Sequence, residues 1–261
     1  MKEILREFFG IGGYQRVPEG YFSWQHLTFV TTLVVIMIIL AVILGLRNKD
    51  KDAKVKNNVL IWAAILIDGF ELFKIVMFCI ADESFRPILS NLPLFLCSIQ
   101  LITIPLAAFS KGKIKEASLD FVFIFGILGA ILGTYFAGQN YGAYPVLSFP
   151  NVVSGITHCI SGFASLYIAI SGMSSMKKEN IWNTFTILGV FCVFAYIANI
   201  LFETNYMFLM QGDGTPYDIF YNLVNGNRFF YPVIVIVLFL AYITVFYYIF
   251  YLVKNKKLLK K

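Results

Sequence analysis

A thiol and an imidazole can together open one ester and build another, and this chain carries Cys97 and His158 inside long apolar stretches. A free thiol is only a few per cent ionised at neutral pH, and burial lowers that fraction, so a nucleophilic cysteine needs a base. His158 would take the thiol proton, Cys97 would attack an ester carbonyl, and a second lipid alcohol would collect the acyl group. General-base help of this kind is worth about 100- to 10,000-fold. Glu71 or Glu203 is the expected orienting acid, by analogy with the third member of a triad. Gln100 and Asn199 share faces with Cys97 and Glu203, and His26 stands at the outer start of the first long helix. A cysteine in an apolar stretch is ordinarily a small buried hydrophobe. Pro93, four residues upstream, changes the setting of Cys97: it frees a carbonyl and predicts a kink through which water or substrate could approach.

The elements that hold these groups are transmembrane helices. The composition is 59% hydrophobic, 17% aromatic and only 14% charged, which excludes a soluble globular domain. Each crossing of a bilayer core needs about 20 helical residues. Seven stretches qualify, at Leu27 to Leu46, Val59 to Ala81, Ile88 to Phe109, Leu119 to Ala137, Asn151 to Gly172, Asn183 to Asn205 and Phe229 to Val253. The expectation is an all-α, polytopic protein. Residues 1–26 form an extracellular segment, 27–253 a seven-helix transmembrane domain and 254–261 a basic cytoplasmic tail. Lysines and arginines in the connections collect as fifteen on one side and five on the other. The positive-inside rule then places the N-terminus outside and the C-terminus in the cytoplasm. The net charge of +6 is read as a topology signal, with no nucleic-acid partner. Richness in Lys, Asn, Ile and Phe suggests a low-GC bacterium and hence a plasma membrane.

All four cysteines fall within expected spans, which argues against a disulfide framework, and there is no paired-cysteine metal motif. No cofactor is implied. Residues 1–20 lack the apolar core and cleavage pattern of a removable signal peptide. Trp24, Tyr21, Phe22, Tyr135, Tyr141, Tyr144, Tyr206 and Tyr231 gather near the outer ends, as interfacial anchors do. Gly126, Gly129, Ala130, Gly133 and Ala137 form a small-residue face on the fourth span, suited to close helix packing.

Depth and face converge on one site. At 1.5 Å per residue, Cys97 lies about 13 Å and His158 about 10 Å from the outer ends of their spans. Ser154, His158, Ser161 and Ser165 form one stripe, Cys97 and Gln100 another, and Asp68, Glu71 and Lys74 span an arc of the second helix. Unpaired, those three charges would cost roughly 8 to 10 kcal/mol at a helix centre, so they face protein or water. An ion pair between Lys74 and Glu71 is their simplest role. A small-solute or ion carrier using Asp68, Glu71 and Lys74 is the alternative to an enzyme, and hydrogen bonds that merely join the helices are the non-catalytic one. A retinal receptor is disfavoured, since the last span holds no lysine.

The segment Leu92-Pro93-Leu94-Phe95-Leu96-Cys97, the His158 helix, Trp24-Gln25-His26 and Asn205-Tyr206-Met207-Phe208-Leu209 resemble the YwaF family of bacterial integral membrane proteins. That resemblance implies a relation to eukaryotic seven-span acyltransferases that exchange fatty acyl groups between phospholipids and lysophospholipids. It also implies that Cys97 is the nucleophile and His158 its partner. The chain departs from the pattern at Phe95, where members commonly carry histidine. Residue 95 lies about 200° around a helix from residue 97, so the missing imidazole would bear on headgroup binding and not on the thiol.

Overall fold

Within hydrocarbon a chain must satisfy its own backbone hydrogen bonds, and this one does so with helices. The computed structural model describes residues 2–174 and 176–258. In chain order the helices are α1 (Lys2–Phe9), α2 (Trp24–Asn48), α3 (Ala53–Ala81), α4 (Arg86–Ser90), α5 (Gln100–Phe109) and α6 (Gly112–Tyr135). They continue as α7 (Gly138–Ala143), α8 (Phe149–Ser171), α9 (Ile181–Phe202), α10 (Asp218–Leu223) and α11 (Phe230–Leu258), with 3-10 turns at Lys178–Asn180 and Tyr206–Phe208. No strand occurs among the described residues. Residues 259–261 of the basic tail lie outside the described residues, and α11 runs on to Leu258, past its expected end at Val253.

Five helices are long and apolar enough to cross a membrane: α2, α6, α8, α9 and α11. The other two expected stretches differ for physical reasons. Helix α3 is 29 residues long but carries Asp68, Glu71 and Lys74 in its middle. The third stretch is not one kinked helix. It stops at Ser90, passes through turns over residues 91–99 and restarts at Gln100. Pro93 has no N–H to give and disfavours a helical residue before it, and the break extends well beyond the single kink that a proline predicts.

Helix α6 is the axis of the bundle. It packs most extensively on α8, which also receives α2 and α3, while α5 and α9 flank α6. Two apolar cores meet along it. One joins Leu60, Ile67, Ile104, Val122, Ala164 and Ile168 from α3, α5, α6 and α8. The other joins Ile124, Leu188, Ala195, Val235 and Phe239 from α6, α9 and α11. Outward-facing residues such as Val35, Ile39 and Ile43 of α2, and Val193, Ile197 and Leu201 of α9, remain exposed. Such apolar rows suit lipid contact.

The small-residue face of α6 is where α8 comes closest. A Cβ on Gly126 would stand 2.6 Å from the Ser161 carbonyl oxygen, so only glycine permits this approach. Above the bundle, α1 lays Phe8 and Phe9 against Phe149 at the start of α8, and Phe9 also meets Phe73 of α3. The aromatic-anchor expectation fails for three tyrosines. Tyr141, Tyr206 and Tyr231 are buried, unlike the exposed Tyr21, Phe22 and Trp24.

Candidate active site

The broken third stretch delivers the thiol. Its turns end in a tight coil in which the Gln100 N–H reaches back to the Cys97 carbonyl at 3.4 Å and the Leu101 N–H to that of Ser98 at 3.0 Å. Cys97 therefore sits just before the head of α5, facing Gly129 of α6. A helix start leaves N–H groups without intrahelical partners and favours negative charge nearby. Ser98 steadies the coil from within: its hydroxyl donates to the Phe95 carbonyl at 3.1 Å and accepts the Phe95 N–H at 2.9 Å.

Helix α8 delivers the imidazole. The Cys97 side chain and the His158 ring lie over neighbouring turns of α6, the first against Gly129 and the second against Gly133. His158 Nδ1 lies 2.7 Å from the Ser154 carbonyl oxygen. A carbonyl only accepts, so Nδ1 carries the hydrogen and Nε2 keeps its lone pair in the neutral ring. This is the tautomer that a base needs. Room for the ring comes from Gly133, where a Cβ would stand 1.8 Å from His158 Cδ2 and 2.0 Å from Nε2. One turn away, a Cβ on Gly129 would meet Cys97 Cβ at an ordinary 3.6 Å. The two glycines are thus the floor beneath the two reactive groups, a role that the packing interpretation of this face misses.

The supporting residues divide into those the structure brings to the pair and those it does not. Glu71 forms an ion pair with Lys74 at 2.6 Å, both side chains nearly buried, and the Lys74 charge is felt at His158. The acid is therefore near the site but engaged with its own helix. Gln100, fully buried at the head of α5, accepts from Thr103 Oγ1 at 3.2 Å, while its Nε2 has no partner. Glu203 is not an orienting acid. It is exposed, in a left-handed conformation at the end of α9, and the Ser154 main chain holds the imidazole instead.

Asn199 and His26 act at one remove. Asn199 brackets the main chain of Tyr206, accepting its N–H at 2.6 Å and donating to its carbonyl at 3.1 Å. The Tyr206 hydroxyl in turn donates to the Leu89 carbonyl at 2.5 Å and accepts the Leu92 N–H at 3.1 Å, clasping both sides of the helix break. The Phe95 ring meets Tyr206 edge-on at 4.9 Å. Tyr206 is thus a positioning residue for the Cys97 coil, and no local sequence signal links positions 89 and 206. His26 accepts the Phe22 N–H at Nδ1 (3.1 Å), so Nε2–H donates to the Thr134 carbonyl at 3.0 Å. With both nitrogens used, the buried His26 anchors the chain's approach to α2 against the end of α6, next to Gly133.

Comparison with known proteins identifies the chain's relatives. The model of the TMEM164 family matches residues 21–251, nearly the whole length, and the chain belongs to that family. It is a membrane-protein family, and with five candidate spans the chain is a multi-pass membrane protein. This finding overturns the resemblance to the YwaF family and the relation to seven-span acyltransferases drawn from it. The motifs behind that resemblance are short runs of Leu, Phe and Pro, and a bilayer demands such composition of unrelated chains alike. No curated protein and no solved structure matches the chain.

Proposed function

For this member of the TMEM164 family we propose a lipid acyltransferase activity that proceeds through a Cys97 thioester. The observation that carries the reading is the placement of Cys97 and His158 side by side over Gly129 and Gly133 of α6, with Nδ1–H tied to Ser154 and Nε2 free to take a proton. A thiol buried merely as a hydrophobe needs neither a neutral imidazole of fixed tautomer nor a helix start beneath it. The donor is a phospholipid and the acceptor a lysolipid or related alcohol, because the pair lies among membrane helices where lipid esters are the available substrates.

The same reading takes α3 and the broken helix as two further spans, giving seven, with the N-terminus outside and the C-terminus in the cytoplasm of a bacterial plasma membrane. The pair then lies in the outer half, away from cytosolic acyl-CoA, and an outer-leaflet phospholipid serves as donor. A carrier built on Asp68, Glu71 and Lys74 has less support, since two of its three charges neutralise each other. The test uses the purified full chain in nanodiscs with acyl-labelled phospholipid and unlabelled lysolipid. The expected result is label on the lysolipid and on Cys97, both lost in Cys97→Ala and His158→Ala. Transfer that persists in Cys97→Ala eliminates the nucleophile. Solute flux in liposomes without any transfer favours the carrier.

A further inference from the structure

Acyl transfer to sulfur passes through a tetrahedral intermediate whose carbonyl oxygen becomes an anion, and the site must supply N–H or O–H donors for it. Among the described residues, few buried side-chain atoms lack a hydrogen-bond partner, and three of them lie one helical turn from the site residues: Asp68 Oδ1, Gln100 Nε2 and Ser161 Oγ. Burying an amide without its bonds costs about 1 to 3 kcal/mol, so a fully buried Gln100 with an idle NH2 group asks for a function. Asp68 only accepts, unless protonated, and would repel an oxyanion. Gln100 offers two N–H donors and follows Cys97 by three residues at the start of α5.

The usual lean of helical side chains favours an approach of that amide to the thiol. Side chains on a helix lean back over the turn that precedes them, and the turn preceding Gln100 is the one that holds Cys97. The Thr103 hydroxyl donates to the amide oxygen at 3.2 Å, which fixes the oxygen side of the group and leaves the NH2 side free. Cys97 and Ser98 lie in the coil that leads into α5, so their main-chain N–H groups have no helical carbonyl one turn behind them.

We propose that the Gln100 side-chain amide, together with the main-chain N–H groups at the head of α5, forms the oxyanion hole of the acyl-transfer site. The proposal rests on the acyl-transfer reading. In the first step the thiol proton passes to His158 Nε2, and sulfur forms a bond to the ester carbon. The C=O π pair moves onto oxygen, where the Gln100 N–H donates to it without transferring a proton. Collapse restores the carbonyl and breaks the ester C–O bond, and the departing lysolipid oxygen takes the proton from His158. The second step is the reverse with the acceptor alcohol: its proton goes to His158, its oxygen attacks the thioester, and the thiolate leaves and is reprotonated.

The experiment compares the wild-type full chain with Gln100→Ala and Gln100→Glu in nanodiscs of phosphatidylcholine bearing a labelled acyl chain, with lysophosphatidylcholine as acceptor. Besides kcat and KM it reads thermal melting and the rate of Cys97 alkylation by a lipid-soluble maleimide, followed by mass spectrometry of the Cys97 peptide. Alkylation uses the thiol and imidazole but forms no oxyanion at a bound ester. Loss of an oxyanion donor lowers kcat by about 100- to 1,000-fold, and that loss is expected in both variants with KM unchanged, and in Gln100→Ala with melting and alkylation unchanged as well. Wild-type kcat in Gln100→Ala overturns the proposal alone, as does a loss of kcat that is matched in alkylation or melting, which marks a structural role. A wild-type chain that alkylates at Cys97 but transfers nothing, or transfer that survives Cys97→Ala, fells the acyl-transfer reading and the oxyanion hole with it.

Discussion

Two glycines four residues apart on one face of α6 should respond in opposite ways to the same added methyl group. At Gly133 a Cβ would fall 1.8 Å from His158 Cδ2, 2.0 Å from Nε2 and 2.6 Å from Cγ, so the clash reaches the root of the ring and a small swing of its edge does not relieve it. Restoring van der Waals contact near 3.5 Å moves the imidazole by about 1.5 Å and breaks its bond to the Ser154 carbonyl, a loss of roughly 0.5 to 1.5 kcal/mol. Overpacking adds about 1 to 3 kcal/mol, partly offset by the gain of about 1 kcal/mol when alanine replaces glycine within a helix. Stability should therefore fall by about 0.5 to 3.5 kcal/mol, a range that leaves the chain folded. Activity should suffer more, because a displacement of about 1 Å at a reacting group costs on the order of 100-fold. Gly129→Ala is the control. Its Cβ meets Cys97 Cβ at 3.6 Å, an ordinary contact, so transfer should persist and melting should rise slightly. Labelled-acyl transfer in nanodiscs and thermal melting in detergent read both variants. Near-normal transfer in Gly133→Ala, or an equal loss in Gly129→Ala, would refute the arrangement of the site on the α6 floor.

Tyr206→Phe keeps the ring against Phe95 but removes the hydroxyl that joins Leu89 and Leu92; the expectation is a destabilisation of about 1 to 3 kcal/mol by melting and reduced transfer, and unchanged melting would show that the clasp is not needed. In a double-mutant cycle at the nearly buried Glu71 and Lys74, Glu71→Gln or Lys74→Met alone leaves one charge uncompensated at a cost approaching the roughly 3 to 5 kcal/mol of a broken buried pair, and the double variant should recover most of it. Additive losses in the two singles would show that the ion pair does not couple them. Glu203→Gly relieves an exposed residue at φ 54°, so the protein should gain about 1 kcal/mol in denaturant melts with transfer unaffected, and lost transfer would return Glu203 to the site.

Why some of this was legible in the sequence and some was not follows from how each feature is encoded. A bilayer sets the length of apolar stretches, so the five helices long and apolar enough to cross it, α2, α6, α8, α9 and α11, each coincide with a stretch marked in the sequence. That Cys97 and His158 approach neighbouring turns of α6 was in reach of the sequence for a related reason: depth along a helix is a count of residues, and face is a count modulo 3.6. The orienting group was not, because the Ser154 carbonyl is main chain, which every residue has, whereas acids such as Glu203 attract attention by side chain alone. The breadth of the break around Pro93 was hidden too. A proline announces a local kink, but the turns over 91–99 persist because a tyrosine more than a hundred positions along the chain clasps their upstream side. In hydrocarbon each N–H freed by such a break costs several kcal/mol unless protein takes it up. Here the N–H groups of Leu92 and Phe95 find Tyr206 and Ser98. The interruption of the helix and the seating of the Cys97 thiol are therefore one structural device. A substitution that repaired the helix, such as replacing Pro93 with a strong helix former, would shift the Cys97 thiol from its seat against Gly129 to the extent that it succeeded.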